Sequence, residues 1–333
     1  MIRILLIAVF LYSISFGQQG FADAFQSFGT SARMAGLGQA VVADFGHDAS
    51  YIINPSASSS LSGTNGYALY INQFGMAEYG ALGFSKTTPN SWRWGLHGIG
   101  VFIDNILERP DLRTITDLEI RRDSIRTLVA QGFTSFSDLE SSLTFNLAKE
   151  FNYDLDLGWQ MEIIPLRIPV GMNIHLMHKN LHNIQGSGIG IDMGTMVITN
   201  LKKVFFFDWM GDFAFGLTGK HLFGSRIFWN TERQDLIPMH VIWGWSYRQP
   251  MPWAGTELRV FRQRNTLYSG EVNIGFEAII KSRVILQAGY RAESFQGNIE
   301  INLAGLLFPG KIGYGFSDHE LGMVHRLGVE FGI

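Results

Sequence analysis

The 333-residue chain has no cysteine, which excludes a disulfide scaffold and any thiolate metal site. It is poor in charge: Asp, Glu, Lys and Arg make up 17% of residues, against about 25% in an average soluble domain. Its net charge of −3 offers a nucleic acid no basic surface. Beyond the first residues it has no apolar run long enough to cross a bilayer as a helix. What it has in quantity is Gly (38), Phe (26) and an aromatic fraction of 13%. Its length suits one large barrel or sandwich, or two ordinary domains.

The first residues read as a targeting segment. Arg3 supplies a positive charge, and Ile4 to Ile14 is an apolar run. That run is about half of the ~20 residues a span needs. Ser15 and Gly17 are small residues at the positions a signal peptidase reads, so the pattern predicts a signal peptide over 1–17 and a mature chain from Gln18.

The rest is dominated by period-two alternation, which places alternate side chains on opposite faces of a strand. Val272, Ile274, Phe276, Ala278 and Ile280 alternate with Asn273, Gly275 and Glu277. Val284, Leu286, Ala288 and Tyr290 repeat the pattern, as do Ile299 and Ile301, Ile312 to Phe316, and His325 to Ile333. Tyr67, Leu69 and Ile71 form one face of the first such segment. About fourteen segments of this kind are separated by short turns, which predicts an antiparallel meander. The polar positions are Gly, Asn and Gln as often as charged residues. Trp92, Trp94, Trp243, Trp245, Tyr247 and Trp253 gather towards segment ends. Both features fit a transmembrane barrel with bulky apolar residues towards lipid and polar residues towards the lumen. The final strand is then expected to pair with the strand near Tyr67. The stretch 104–137 breaks the rhythm, is charged, and has helical spacing at Ile120, Ile125, Leu128 and Val129, which predicts a long loop containing a helix.

Residues 18–62 do not alternate. Ser31 to Asp44 is dense in small residues, which suits a segment threaded into a confined space, and Asn54-Pro55 is a turn signal. The sequence Ser31-Ala32-Arg33-Met34-Ala35-Gly36-Leu37-Gly38, with Asp48-Ala49-Ser50 and Asn54-Pro55, resembles the N-terminal signature of FadL-like outer-membrane proteins. More narrowly it is similar to the PorV/PorQ family of Bacteroidetes and their relatives. Gly188 to Gly194, Ile237-Pro238 and Phe316-Ser317-Asp318 with His325 to Gly328 agree with later stretches of that family. The resemblance implies an all-β fold: a transmembrane antiparallel barrel of about fourteen strands over 63–333, with 18–62 as a lumenal plug, in the bacterial outer membrane. It further implies a non-enzymatic component of type IX secretion or of surface attachment of secreted proteins. Its partners would be outer-membrane lipid and secretion-system proteins or secreted cargo. FadL-like cousins imply the alternative, a channel for hydrophobic small molecules. The insertion at 104–137 departs from the family pattern.

No motif assigns chemistry. Gly36-x-Gly38 lacks the third glycine and the βαβ setting of a dinucleotide site. Gly186, Gly188, Gly190 and Gly194 share a strand face, as expected where something packs closely against a wall. His175 and His178 would point to opposite faces of a strand and cannot share a metal. No Ser, His and Asp are arranged as a nucleophile with its base. The reading is therefore not an enzyme and no cofactor. Buried charges need partners, so charges of both signs on lumen-facing positions predict a network that holds the plug. Its members would be Arg33, Asp48, Asn54, Asp192, Arg259, Glu271, Arg291, Glu300 and Arg326.

Overall fold

The computed structural model describes residues 25, 28–47, 49–108, 111–156, 158, 163–268, 270–305 and 308–332. The expected signal peptide at 1–17, residues 18–24 and 26–27 of the expected plug, and Asp48 lie outside them.

The first strands are β1 (Thr64–Gln73), β2 (Ala77–Thr87), β3 (Trp92–Leu107), β4 (Ser135–Leu155), β5 (Ile164–Leu181), β6 (Ile184–Asn200) and β7 (Asp212–Lys220). A short hairpin follows, β8 (Ser225–Trp229) and β9 (Gln234–Ile237). The wall resumes with β10 (His240–Met251), β11 (Thr256–Asn265), β12 (Val272–Ile280), β13 (Val284–Arg291), β14 (Ser294–Asn302), β15 (Gly310–Ser317) and β16 (Val324–Gly332). Strand β10 pairs directly with β7, and the hairpin pairs only with the start of β6, at Gly186–Ile189. Of the sixteen strands among the described residues, the fourteen outside the hairpin therefore form the wall. It closes where β16 pairs antiparallel with β1, Glu330 opposite Tyr67. Closure is what lets strands cross a bilayer, because every backbone N–H and C=O then has a partner.

Short helices complete the fold: α1 (Ala32–Gly36), α2 (Leu118–Gln131) between β3 and β4, and α3 (Leu201–Phe205) between β6 and β7. Asp117 caps α2, its carboxylate accepting from the N–H groups of Glu119 and Ile120. No helix among the described residues is long and apolar enough to cross a membrane. The long connections 108–134 and 221–239 lie at the rim opposite the start of β1 and the end of β16. Long loops mark the extracellular side of such barrels, so the rim where β1 starts is periplasmic.

The two faces of the wall follow the alternation. Leu286, Ile299, Tyr314, Leu327 and Tyr70 are successive cross-strand neighbours and all are exposed, forming part of an outward apolar band. Phe276 is outward, while Asn273 and Glu277 on the same strand are buried towards the lumen. Trp92, Trp209 and Trp253 are exposed at or near the periplasmic rim. The chain is thus a transmembrane barrel of the bacterial outer membrane.

Strand β1 departs from the simple rule. Its Leu69 and Ile71 face inward, where they pack with Phe25, Ala32, Tyr79 and Val324, and Ala68 and Tyr70 take the outer face. The expectation that bulky apolar residues face lipid fails there because the N-terminal residues present an apolar surface inside the lumen.

Ile299 stands within the outward band and Tyr290 near a rim turn, so their replacement by arginine separates depth from chemistry. Ile299→Arg is expected to cost about 2–4 kcal/mol of folding free energy and Tyr290→Arg only about 0–1 kcal/mol. Urea unfolding of the two variants in lipid vesicles measures the difference.

Candidate functional site

Residues 29–47 and 49–62 lie inside the wall and are buried along most of their length. The local sequence explains their path. Ser31 caps α1 by accepting from the Met34 N–H at 3.0 Å. Gly38 and Gln39 then take φ of 61° and 58°, which turns the chain sharply after the helix. Asn54 caps a 3-10 turn at Pro55–Ser60. The wall is shaped to receive these turns. A Cβ on Gly289 would stand 2.2 Å from the Gly38 nitrogen, and one on Gly216 would stand 2.2 Å from the Val42 oxygen. Backbone meets backbone at both places, so only glycine fits.

Arg33 projects from α1 between two carboxylates. Its Nε donates to Glu277 Oε2 at 2.6 Å and its Nη1 to Asp44 Oδ2 at 2.6 Å, and Nη2 reaches the second oxygen of each acid. The side chains of Arg33 and Asp44 are 2% and 1% exposed, so this pairing is shielded from water. The two forked pairs take four of its five N–H groups and fix its plane. One cation between two acids leaves an excess negative charge. Arg259 answers it, 3.6 Å from Glu277 and 2.6 Å from Glu257. From Glu277 hydrogen bonds continue along the wall. Gln287 donates to it at 3.1 Å, Asn298 donates to Gln287 at 2.8 Å, and Asn298 also donates to Glu300 at 3.2 Å.

A second cluster lies on β5, β6 and β7. Asp192 is hydrogen-bonded to His175 Nε2 and accepts from Lys220 Nζ at 2.6 Å and from the His221 N–H at 2.9 Å. Lys220 also donates to the Ile52 carbonyl at 3.0 Å, tying the cluster to the N-terminal segment. Thr144 Oγ1 meets His175 Nδ1 at 2.8 Å. Neutral groups fill the remaining sides. Asn146 donates to the Pro55 carbonyl at 2.9 Å, Asn173 to the Tyr51 carbonyl at 2.9 Å, and Ser246 to the Ala43 carbonyl at 2.6 Å. Asn54 donates to the Val42 carbonyl at 2.6 Å and to the Thr195 carbonyl at 3.2 Å.

The sequence-expected residues thus fall into separate groups. Arg33, Arg259 and Glu300 are joined through Glu277. Asp192 belongs to the second cluster and is not bonded to Arg33. Arg326 instead donates to Ser317 at 2.8 Å. Glu271 and Arg291 line a cavity of about 80 Å³ near the extracellular rim, beside Gln39, Lys220 and His240. A second cavity of about 250 Å³ lies at the periplasmic rim, lined by His47, Asn65, Lys311 and Glu330 among others, and shares no lining residue with the first. Asp44, His175, Lys220 and His221 are partners that the sequence reading did not assign. His175 stands on the inner face of β5 and His178 is exposed on the outer one. No group of His, Cys, Asp and Glu suited to a metal occurs among the described residues.

No protein-family model matches the chain, and no curated protein matches it. Solved structures of similar outline are outer-membrane barrels. The outer membrane protein Omp33 of Acinetobacter baumannii matches with a TM-score of 0.41 and 7% identity, over 82% of this chain and 98% of that one. The toluene transporter TodX of P. putida matches with a TM-score of 0.42 and 10% identity, over 91% and 96%. The likeness is one of barrel to barrel and carries no further.

Arg33→Ala would leave Asp44 and Glu277 buried without their cation, a loss of about 3–5 kcal/mol. The expected result is chymotrypsin cleavage within 29–62, at sites such as Phe45 and Tyr51, and loss of the compact band on unheated gels, at lower temperature than wild type. Adding Asp44→Asn and Glu277→Gln to that variant is expected to restore much of the stability. Gly216→Val is expected to give the same exposure of the segment by displacing the Val42 carbonyl, with all charges intact.

Proposed function

We propose that residues 18–62 act as a plug and that the chain works without catalysis, by protein contact at its extracellular rim. The resemblance to the PorV/PorQ family makes the partners components or cargo of type IX secretion, or of the attachment of secreted proteins to the surface. The observation that carries this reading is the filled lumen: ion pairs and hydrogen bonds join residues 29–62 to strands around the wall. The two cavities beside residues 29–62, about 250 and 80 Å³, fall below the ~300–1,000 Å³ of ordinary ligand pockets. Contact surface is available outside. Helix α2 carries Leu118, Ile120, Ile125 and Val129 exposed on the longest extracellular connection.

A second reading, a channel for hydrophobic molecules, is favoured by an apolar groove of about 550 Å³ on the outer wall. Leu82, Phe84, Leu96, Val329 and Phe331 frame it beside Ala68 and Gly98. In that reading the plug would have to move before solute could pass from lumen to groove.

Conductance and co-purification separate the two. The full chain in planar bilayers is expected to stay closed, and mild-detergent extraction from its native membrane is expected to recover secretion components with it. Steady conductance in the wild type, or uptake of a hydrophobic solute lost on its deletion, would favour the channel. Recovery as a lone barrel would count against the secretion role.

A further inference from the structure

Strand β11 breaks the apolar pattern of the outer wall. Phe261 and Gln263 face the lumen, the first with the Arg33 guanidinium 5.8 Å from its ring centre, the second accepting from the Val42 N–H at 2.9 Å. Alternation therefore sends Arg262 and Arg264 to the lipid side, and both are exposed. Their cross-strand neighbours are Trp245 and Ile274 for Arg262, and Trp243 and Val272 for Arg264. The outward positions of β10, β11 and β12 hold no carboxylate, and neither arginine has an ion pair among the described residues. The contrast with Arg33 and Arg259 is direct, since those lumenal arginines are paired with acids.

Depth fixes the surroundings. Strand β11 ends at Asn265, so the two arginines stand within about 10 Å of its extracellular end. Tyr290 and Phe295 sit in the same cross-strand row as Trp245, Arg262 and Ile274. Aromatic residues in such rows mark the boundary between hydrocarbon and headgroups. A guanidinium there reaches the headgroups of the outer leaflet, not those of the periplasmic one.

We infer that Arg262 and Arg264 bind the phosphates of an anionic outer-leaflet glycolipid, a diphosphorylated lipid A-type molecule. Two residues apart on one strand face, their Cα atoms are separated by about 7 Å. Each offers a planar fork of N–H donors that matches a phosphate, so the pair suits a headgroup bearing two. Trp243 and Trp245, opposite them, supply rigid flat surface at the level where acyl chains begin.

The test titrates the full chain, purified in detergent, with diphosphoryl lipid A, dephosphorylated lipid A and phosphatidylglycerol. Wild type is compared with R262Q/R264Q and with K149Q, a lysine near the opposite rim that lies over Trp92. The expected result is saturable binding of diphosphoryl lipid A, weakened at least about tenfold in R262Q/R264Q and unchanged in K149Q. The compact unheated band serves as the folding control. If the double variant does not fold, each single substitution is expected to weaken binding about threefold. Equal affinity of wild type and the arginine variants overturns the assignment. So do equal binding of the dephosphorylated lipid, a loss of the same size in K149Q, or a preference for phosphatidylglycerol.

Discussion

A guanidinium buried between two carboxylates sets the terms for the interior of this barrel. Arg33 is shielded from water, and so are Asp44 and Glu277. Such an arrangement is tolerable only while all the partners are in place, because any one left alone would be a bare charge in a medium that solvates it poorly. Glu277 belongs to the wall and Arg33 to the N-terminal segment. The ion pair therefore makes the position of the segment a condition of the wall's own stability. Arg259, Gln287 and Asn298 extend that condition along neighbouring strands.

The rest of the lumen follows the same logic with different groups. Asp192 gathers His175, Lys220 and the His221 amide, and Lys220 passes the connection to the Ile52 carbonyl. Asn146, Asn173 and Ser246 satisfy carbonyls of the segment that no helix or sheet would otherwise pair. Glycines in the wall admit the segment at backbone distance, as at Gly216 and Gly289. Outside, the same strands meet a solvent with opposite demands. Apolar rows face hydrocarbon, and Arg262 and Arg264 stand near its extracellular edge.

Much of this was legible in the chain itself, for a reason visible in particular residues. Val272, Ile274 and Phe276 announce one face and Asn273 and Glu277 the other, because strand parity is a local property. Arg33 could be named as needing a lumenal partner because it is a lone cation in a run of small residues. Its partners could not be identified in the same way. Parity says that Asp192 and Glu277 both face inward, but it does not say which of them Arg33 reaches. That depends on how the wall closes and on the path of the segment. In sequence His175 has only His178 near it, on the opposite strand face, and Lys220 and His221 sit at a strand end where alternation stops. Leu69 and Ile71 misled for a related reason: an apolar residue on a strand seeks any apolar surface, and the N-terminal segment offers one inside.

The sequence by itself determined a two-faced antiparallel wall and a non-alternating segment unlike it, since both depend on side-chain periodicity along a few consecutive residues. Tertiary structure alone decided the register in which β16 closes on β1, how the lumenal charges divide between Glu277 and Asp192, and that β11 turns two arginines to the lipid. Pairings across a lumen join residues as far apart as Arg33 and Glu277. Their geometry is fixed only when the ring of strands has closed.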